Sequence, residues 1–217
     1  MSEVPQIAQT NAQTLPLHEL LSRLLAPEKT SHRHPLPLMG TLQDLNQALE
    51  ERPLLDFINA NLRGIGQVAF ANNPASGLIV LLAIFLQSPW VALMLVVGVG
   101  AATLTAYGMR LDRPSVRNGI FGFNGALVGL GLGTFGTWGN GSGNPLWALA
   151  IAVCAALSTV FMQYVGRWMA VRLKLPAMGM PFHIVAFGFL AIALYLPQPF
   201  FQLGTPPPFP NPADSLE

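Results

Sequence analysis

The chain has 217 residues, of which 52% are hydrophobic and only 10% are charged, against the ~25% charged residues of an average soluble domain. That composition excludes an ordinary water-soluble fold and predicts an integral membrane protein. A net charge of +1 leaves no basic surface for nucleic acid, and the single cysteine, Cys154, leaves no intrachain disulfide.

The chain begins with residues that do not resemble a membrane span. Residues 1–36 are polar and contain several prolines, which predicts a flexible tail and no cleaved signal. Residues 37–52 predict a short amphipathic helix at the membrane surface, with Leu42, Leu45 and Ala48 on one face.

Residues 53–203 form the predicted membrane region, in which proline, glycine and a few charges separate apolar blocks. A spanning helix needs ~20 mostly apolar residues. Five spans are predicted, at about 54–71, 75–88, 89–109, 145–166 and 181–197. A glycine-rich block, Asn118–Phe135, predicts a re-entrant half-helix, and the proline-rich residues 204–217 predict a tail in solvent. The predicted fold class is therefore an all-α membrane protein with five transmembrane helices and one re-entrant half-helix.

Polar residues recur at helical spacing through the first span. Asp56, Asn59, Arg63 and Gln67 lie three, four and four residues apart, on a helix that is otherwise apolar. An ionisable side chain at the bilayer centre costs ~2.5 to 3.5 kcal/mol, so this stripe must face protein, water or the interface. Two interpretations stay open: a structural pair of Asp56 with Arg63, and a functional role for Gln67, the deepest of the four.

The first span is followed by a predicted helix break at residues 72–77. Pro74 restricts Asn73 to extended backbone, and Ser76 is predicted to cap the next helix. A break at membrane depth survives only where protein buries it or where it lines a water-filled cavity.

A second break is predicted at residues 175–182, where Pro176 and Pro181 are five positions apart. The carbonyl groups between them cannot all find donors within a helix. Unpaired carbonyls and half-helix ends are groups that membrane pores use in place of solute hydration.

The glycines of the predicted half-helix recur at spacings of three and four, which places a bare stripe on one helical face. Ordinary helix packing would explain that stripe. Phe123 and Leu127, one turn apart, project together from the same helix.

Three strings of this sequence, residues 67–77, 118–129 and 175–182, resemble the urea transporter family in their order and spacing. The resemblance covers roughly residues 40–200. It implies a repeat of five membrane helices and one tilted re-entrant helix, and a pore enclosed by two such repeats in inverted orientation.

The resemblance also implies roles for individual residues. Gln67 would contact urea at a pore mouth, and Phe70, Phe123 and Leu127 would form an apolar slot for the flat solute. The full implied set of solute-contacting residues is Gln67, Val68, Phe70, Phe123, Leu127 and Gly179. The implied structural residues of the pore are Asn73, Pro74, Ser76, Gly77, Asn124, Leu175, Pro176, Pro181 and Phe182.

Two features depart from the family pattern. Gly179 stands where the family usually has a threonine whose hydroxyl faces the pore, so one hydrogen bond to the solute is missing. The motifs also occur once, which predicts a single repeat that needs a partner: an antiparallel homodimer, or a second repeat chain. A truncated product is the alternative.

The predicted function is passive channel-type transport of urea, or a similar small neutral solute, across the cell (plasma or inner) membrane. Ammonia, short amides and water are alternative solutes, and a non-transporting fragment or assembly partner is a further alternative. An intramembrane hydrolase using Ser142 and His183 is the enzyme alternative. The membrane region has no phosphate-binding loop, metal-ligand cluster or paired carboxylates, so no cofactor, metal or energy-driven pumping is expected.

Overall fold

The computed structural model describes residues 40–138, 143–196 and 201, and the elements in this part of the chain are all helical. The α-helices are α1 Gln43–Ala48, α2 Pro53–Gln67, α3 Pro74–Gln87, α4 Pro89–Gly108, α5 Arg113–Arg117, α6 Ile120–Trp138, α7 Pro145–Trp168 and α8 Met180–Ala193, with a π-helical turn at Met169–Leu173 after α7. The predicted all-α class is confirmed. The predicted tails, 1–36 and 204–217, lie outside the described residues.

Three of the described helices are long and apolar enough to cross a membrane. They are α4, residues 120–137 of α6, and α7 together with its π-helical turn. Two of them coincide with the predicted spans at 89–109 and 145–166. The protein is a multi-pass membrane protein.

The other predicted spans form shorter helices. The apolar helices α3 and α8 have 14 residues each, and α2 has 15 and carries the polar stripe. At a rise of 1.5 Å per residue these helices are ~21 to 23 Å long, whereas the hydrocarbon core of a bilayer is ~30 Å thick.

α6 covers most of the block Asn118–Phe135 that was predicted as a half-helix; it begins two residues later and ends three residues later. It is one continuous helix of 19 residues with crossing length and hydropathy. Its glycines do not interrupt it because close packing against neighbouring helices offsets their ~1 kcal/mol propensity cost. By length, α3 fits a helix that enters the membrane without crossing it better than α6 does.

Prolines mark where helices begin. Pro53, Pro74, Pro89 and Pro145 each occupy the first position of a helix. The missing N–H of proline costs nothing there, because the first-turn amides have no intrahelical acceptor. The side chain of Ser88 then caps α4 by accepting a hydrogen bond from Val91 N at 3.3 Å.

α6 lies at the centre of the described helices and packs against α2, α4, α7 and α8. Its contact with α4 depends on Gly98, Gly125 and Gly129, since a Cβ atom at any of them would overlap atoms of the facing helix. On the α7 side, Trp147 is fully buried in a cluster that includes Met94 and Leu132. The core is therefore tightest along α6.

The predicted surface helix α1 is short, and its protein-facing residue is polar. Asn46 is buried, whereas Leu45 is 41% exposed and Ala48 is exposed. The Asn46 side-chain oxygen accepts a hydrogen bond from Asn59 Nδ2 at 2.8 Å. Leu45 and Ala48 thus point away from the protein, and the inward contact is a hydrogen bond between amides.

Candidate functional site

The polar stripe of α2 is satisfied inside the protein. Asp56 forms an ion pair with Arg117 Nε at 2.7 Å, and both side chains are buried. Arg117 also contacts Glu50 Oε2 at 3.1 Å. No ion pair joins Asp56 to Arg63 among the described residues, so the structural pair considered above is wrong. Arg117, 61 positions away in the sequence, is the partner because α5 packs against α2.

Arg63 is fully buried and connects the N-terminal segment to the first helix break. Its guanidinium donates to the carbonyl oxygens of Thr41 at 2.7 Å and Leu42 at 3.1 Å. It also donates to the side-chain oxygen of Asn72 at 3.1 Å and of Asn59 at 3.3 Å. A charge that would be costly in lipid is thereby surrounded by oxygen acceptors.

The first break lies between Gln67, where α2 ends, and Pro74, where α3 begins. Asn73 caps α3, because its side-chain oxygen accepts from Ala75 N at 2.8 Å and Ser76 N at 3.4 Å. The prediction that Ser76 caps this helix is wrong. Pro74 takes the first helical position, which leaves Asn73, not Ser76, at the capping position.

Gln67 is held at the beginning of α6. Its Nε2 group donates a hydrogen bond to the backbone carbonyl of Asn118. A carbonyl oxygen can only accept, so this contact identifies the nitrogen of the amide and leaves Oε1 as the free acceptor. The close approach requires Gly119, with φ +75°, where a Cβ atom would overlap the backbone of Gly64.

Phe123 and Leu127 follow on the same helix and are both half-buried. A Cβ atom built at Gly179 would lie 3.6 Å from Leu127 Cδ1, so Gly179 lies against Leu127. The structure therefore brings together two residues that are 52 positions apart in the sequence, Leu127 of the string 118–129 and Gly179 of the string 175–182.

Phe70 and Val68 lie in the turn after α2. Val68 packs against a buried cluster that includes Ile65 and Leu95. Phe70 has φ 57° and is 83% exposed. Among the described residues no ring contact joins Phe70 to Phe123, so a slot formed by both rings stays a prediction.

Asn124 of α6 holds the second break in place. Its Nδ2 group donates to Met178 O at 3.2 Å, and its Oδ1 accepts from Phe182 N at 3.1 Å. Asn124 itself is fully buried. The predicted unpaired carbonyls in this break are partly satisfied: Met178 O by Asn124, and Gly179 O by His183 N at 3.1 Å.

The prolines of the second break have different environments. Pro181 is buried in the first turn of α8, with Phe182 partly buried beside it, whereas Leu175 and Pro176 are exposed. In the first turn of α3 Gly77 is buried, and a Cβ atom there would overlap the carbonyl of Leu62. Gly77 therefore sets the close contact between α2 and α3.

The family model described as Urea transporter matches residues 58–216. The chain belongs to the urea transporter family. Membership makes it part of a transport family rather than an enzyme family, and Ser142 of the hydrolase alternative lies outside the described residues.

Relatives of this chain include proteins named Urea transporter 1. The protein of Ovis aries is 31% identical over 176 residues, which is 76% of this chain and 42% of the relative. Those of Mus musculus and Rattus norvegicus are 31% and 32% identical over 164 residues, which is 72% of this chain and 39% of each relative. This urea transporter family member thus spans about two fifths of the length of the curated relatives it matches.

Two groups in the site were not identifiable from spacing. The carbonyl of Asn118 orients Gln67, but any residue at that position carries a carbonyl, so the sequence gives no signal for it. Arg117 neutralises Asp56, and only the fold brings these residues together across 61 positions.

Proposed function

We propose that this chain forms one wall of a passive passage for urea, or a similarly small, flat and uncharged amide. The observation that carries the proposal is the fixed orientation of Gln67. Its nitrogen is bound to Asn118 O, so its oxygen is the atom offered to a solute. An N–H group entering a water-poor passage needs such an acceptor, because an unpaired donor is costly to desolvate.

The proposed path begins at Asn118, just before α6, and follows α6 to Leu127. The polar contact of Gln67 lies at one end of the path, and the side chains of Phe123 and Leu127, ~6 Å apart along the helix axis, line it. Apolar walls suit the faces of a planar amide, and its edges supply the hydrogen bonds. An ion would find no compensating charge there, since Asp56 is paired with Arg117.

A second wall is required to enclose this path. Phe70 is 83% exposed, and His183 is exposed at the start of α8. We propose that a second copy in the opposite orientation supplies that wall. A separate second repeat chain is the competing partner.

Proteoliposome swelling with urea, formamide, ammonia and glycerol tests the transport proposal. Gln67→Leu removes the acceptor and is expected to lower urea flux about tenfold, as loss of one hydrogen bond worth ~1.4 kcal/mol predicts. The matched control is Gln87→Leu, the same change at an exposed end of α3. It should leave urea flux unchanged.

Other results of the swelling assay would support one of the alternative functions. If ammonia crosses the membrane and urea does not, ammonia is the transported solute. No flux of any solute through the wild-type protein would identify a non-transporting assembly partner.

A further inference from the structure

Gly179 leaves an open position between an apolar and a polar side chain. A Cβ atom built there would lie 3.6 Å from Leu127 Cδ1 and 3.6 Å from both Cε1 and Nδ1 of His183. These are ordinary van der Waals distances. The backbone of Gly179, at φ −84° and ψ 5°, is one that other residues adopt. The chain therefore has room for a small group at this point, with His183 at its edge.

The contact of the His183 ring with Gly179 selects one tautomer of the neutral imidazole. His183 Nδ1 lies 2.8 Å from Gly179 O. Since a carbonyl oxygen only accepts, the neutral ring carries its proton on Nδ1, and Nε2 is an acceptor. Within the described part of the chain, Nε2 has no hydrogen-bond partner.

The ring is also held in position by its neighbours. Its centroid lies 4.8 Å from the Phe182 ring at an interplanar angle of 60°, and 5.8 Å from the Phe187 ring. One hydrogen bond and two ring contacts fix an exposed imidazole more firmly than a solvated surface histidine. Such a group is arranged to present Nε2 in one direction.

Other polar groups at this break already form hydrogen bonds within the protein. The amide of Asn124 bonds both Met178 O and Phe182 N, and Ala177 O accepts from Met180 N at 2.9 Å. A solute lying against Leu127 would therefore find His183 Nε2 as the side-chain acceptor still free at this end of the path.

We propose that His183 is a solute-contacting residue that accepts a hydrogen bond from an N–H group of the solute at the open side of Gly179. This inference rests on the proposed passage along α6. With Gln67 Oε1 at one end and His183 Nε2 at the other, both ends offer acceptors. The passage would therefore favour solutes rich in N–H donors, such as urea and primary amides, over equally small solutes that only accept.

The test is a set of variants in urea-loaded proteoliposomes, with water permeability recorded on the same vesicles. His183→Leu removes the acceptor and is expected to lower urea flux about tenfold while water permeability does not fall. His183→Gln retains an acceptor and should keep most of the flux. Ile192→Ala, at an exposed position of the same helix, is the control for substitution in α8.

The double variant Gly179→Thr/His183→Leu distinguishes a solute contact of His183 from a structural role. The hydroxyl would enter the open position beside Leu127 and is expected to restore urea flux at least threefold, which a merely structural role of His183 does not predict. Unchanged urea flux in His183→Leu, with flux lost in Gln67→Leu, overturns this inference and leaves the proposed function standing. A wild-type protein that moves no solute overturns both.

Discussion

At the residue scale, one arginine forms ion pairs with two carboxylates, one buried and one exposed. Arg117 contacts Asp56, whose side chain is 3% exposed, and Glu50, whose side chain is 52% exposed. Water screens the second pair, and exposed pairs contribute ~0 to 1 kcal/mol. Removing a partner from a buried pair is far more costly because it leaves an uncompensated charge.

Asp56→Asn is therefore expected to lower the free energy of unfolding by ~3 kcal/mol, and Glu50→Gln by less than ~1 kcal/mol. Both changes replace a carboxylate with an amide of the same shape, so the comparison isolates burial. Thermal or denaturant unfolding in detergent micelles measures the difference. Equal losses in the two variants would contradict the assignment of Asp56 as the buried partner.

At the element scale, helices approach one another wherever a glycine removes the side chain between them. Gly77 of α3 lies so close to α2 that a Cβ atom would overlap the carbonyl of Leu62. A Cβ atom at Gly100 of α4, in contrast, would have no atom within 4 Å. Of these two glycines in apolar helices, one is required by a helix contact and the other is not, and the neighbouring sequence does not distinguish them.

Gly77→Ala is expected to destabilise the protein by ~1 to 3 kcal/mol, because the backbones of α2 and α3 must separate. Gly100→Ala should be neutral or stabilising by up to ~1 kcal/mol through helix propensity. Melting temperatures of the purified variants in one detergent provide the measurement. Destabilisation by Gly100→Ala to the same extent as Gly77→Ala would show that helix contact is not the cause.

At the scale of the whole molecule, one chain leaves much of its apolar surface uncovered. Leu86 is 85% exposed and Phe85 52% exposed on α3, and Phe70 is 83% exposed in the preceding turn. Lipid covers such side chains in a membrane protein, so exposure alone does not separate a lipid-facing surface from a protein interface. The orientation of the chains in the membrane does separate an antiparallel homodimer from other assemblies.

The antiparallel arrangement predicts two populations of chains in the membrane. Cys154, the one cysteine in the sequence, is buried, so a Cys154→Ala background allows a single reporter, Ser2→Cys, near the N-terminus. A membrane-impermeant thiol reagent should label about half of the chains in intact cells, and native electrophoresis should show a mass of at least two chains. Labelling of all chains or of none would exclude the antiparallel homodimer and favour a separate second chain.

Individual residues show how far sequence reasoning reached. The break around Pro74 followed from proline chemistry, which is a local property, whereas the span predicted to reach residue 71 ends at Gln67. The choice of Asn73 over Ser76 as the cap depended on which residue took the first helical position. The extent of α6 was predicted to within three residues at each end, but its central place among the packed helices is a property of the tertiary structure.

The sequence by itself determined that this is a helical membrane protein, where its helices are interrupted and which polar residues must be shielded from lipid. Those properties depend on composition and on spacings of a few residues. Only the tertiary structure decided that Arg117 neutralises Asp56, that Asn118 orients Gln67 and that His183 borders the open side of Gly179. Two of these contacts join residues at least 51 positions apart, and the third depends on how a break folds. Hydrogen-bond geometry of that kind arises only once the helices have packed.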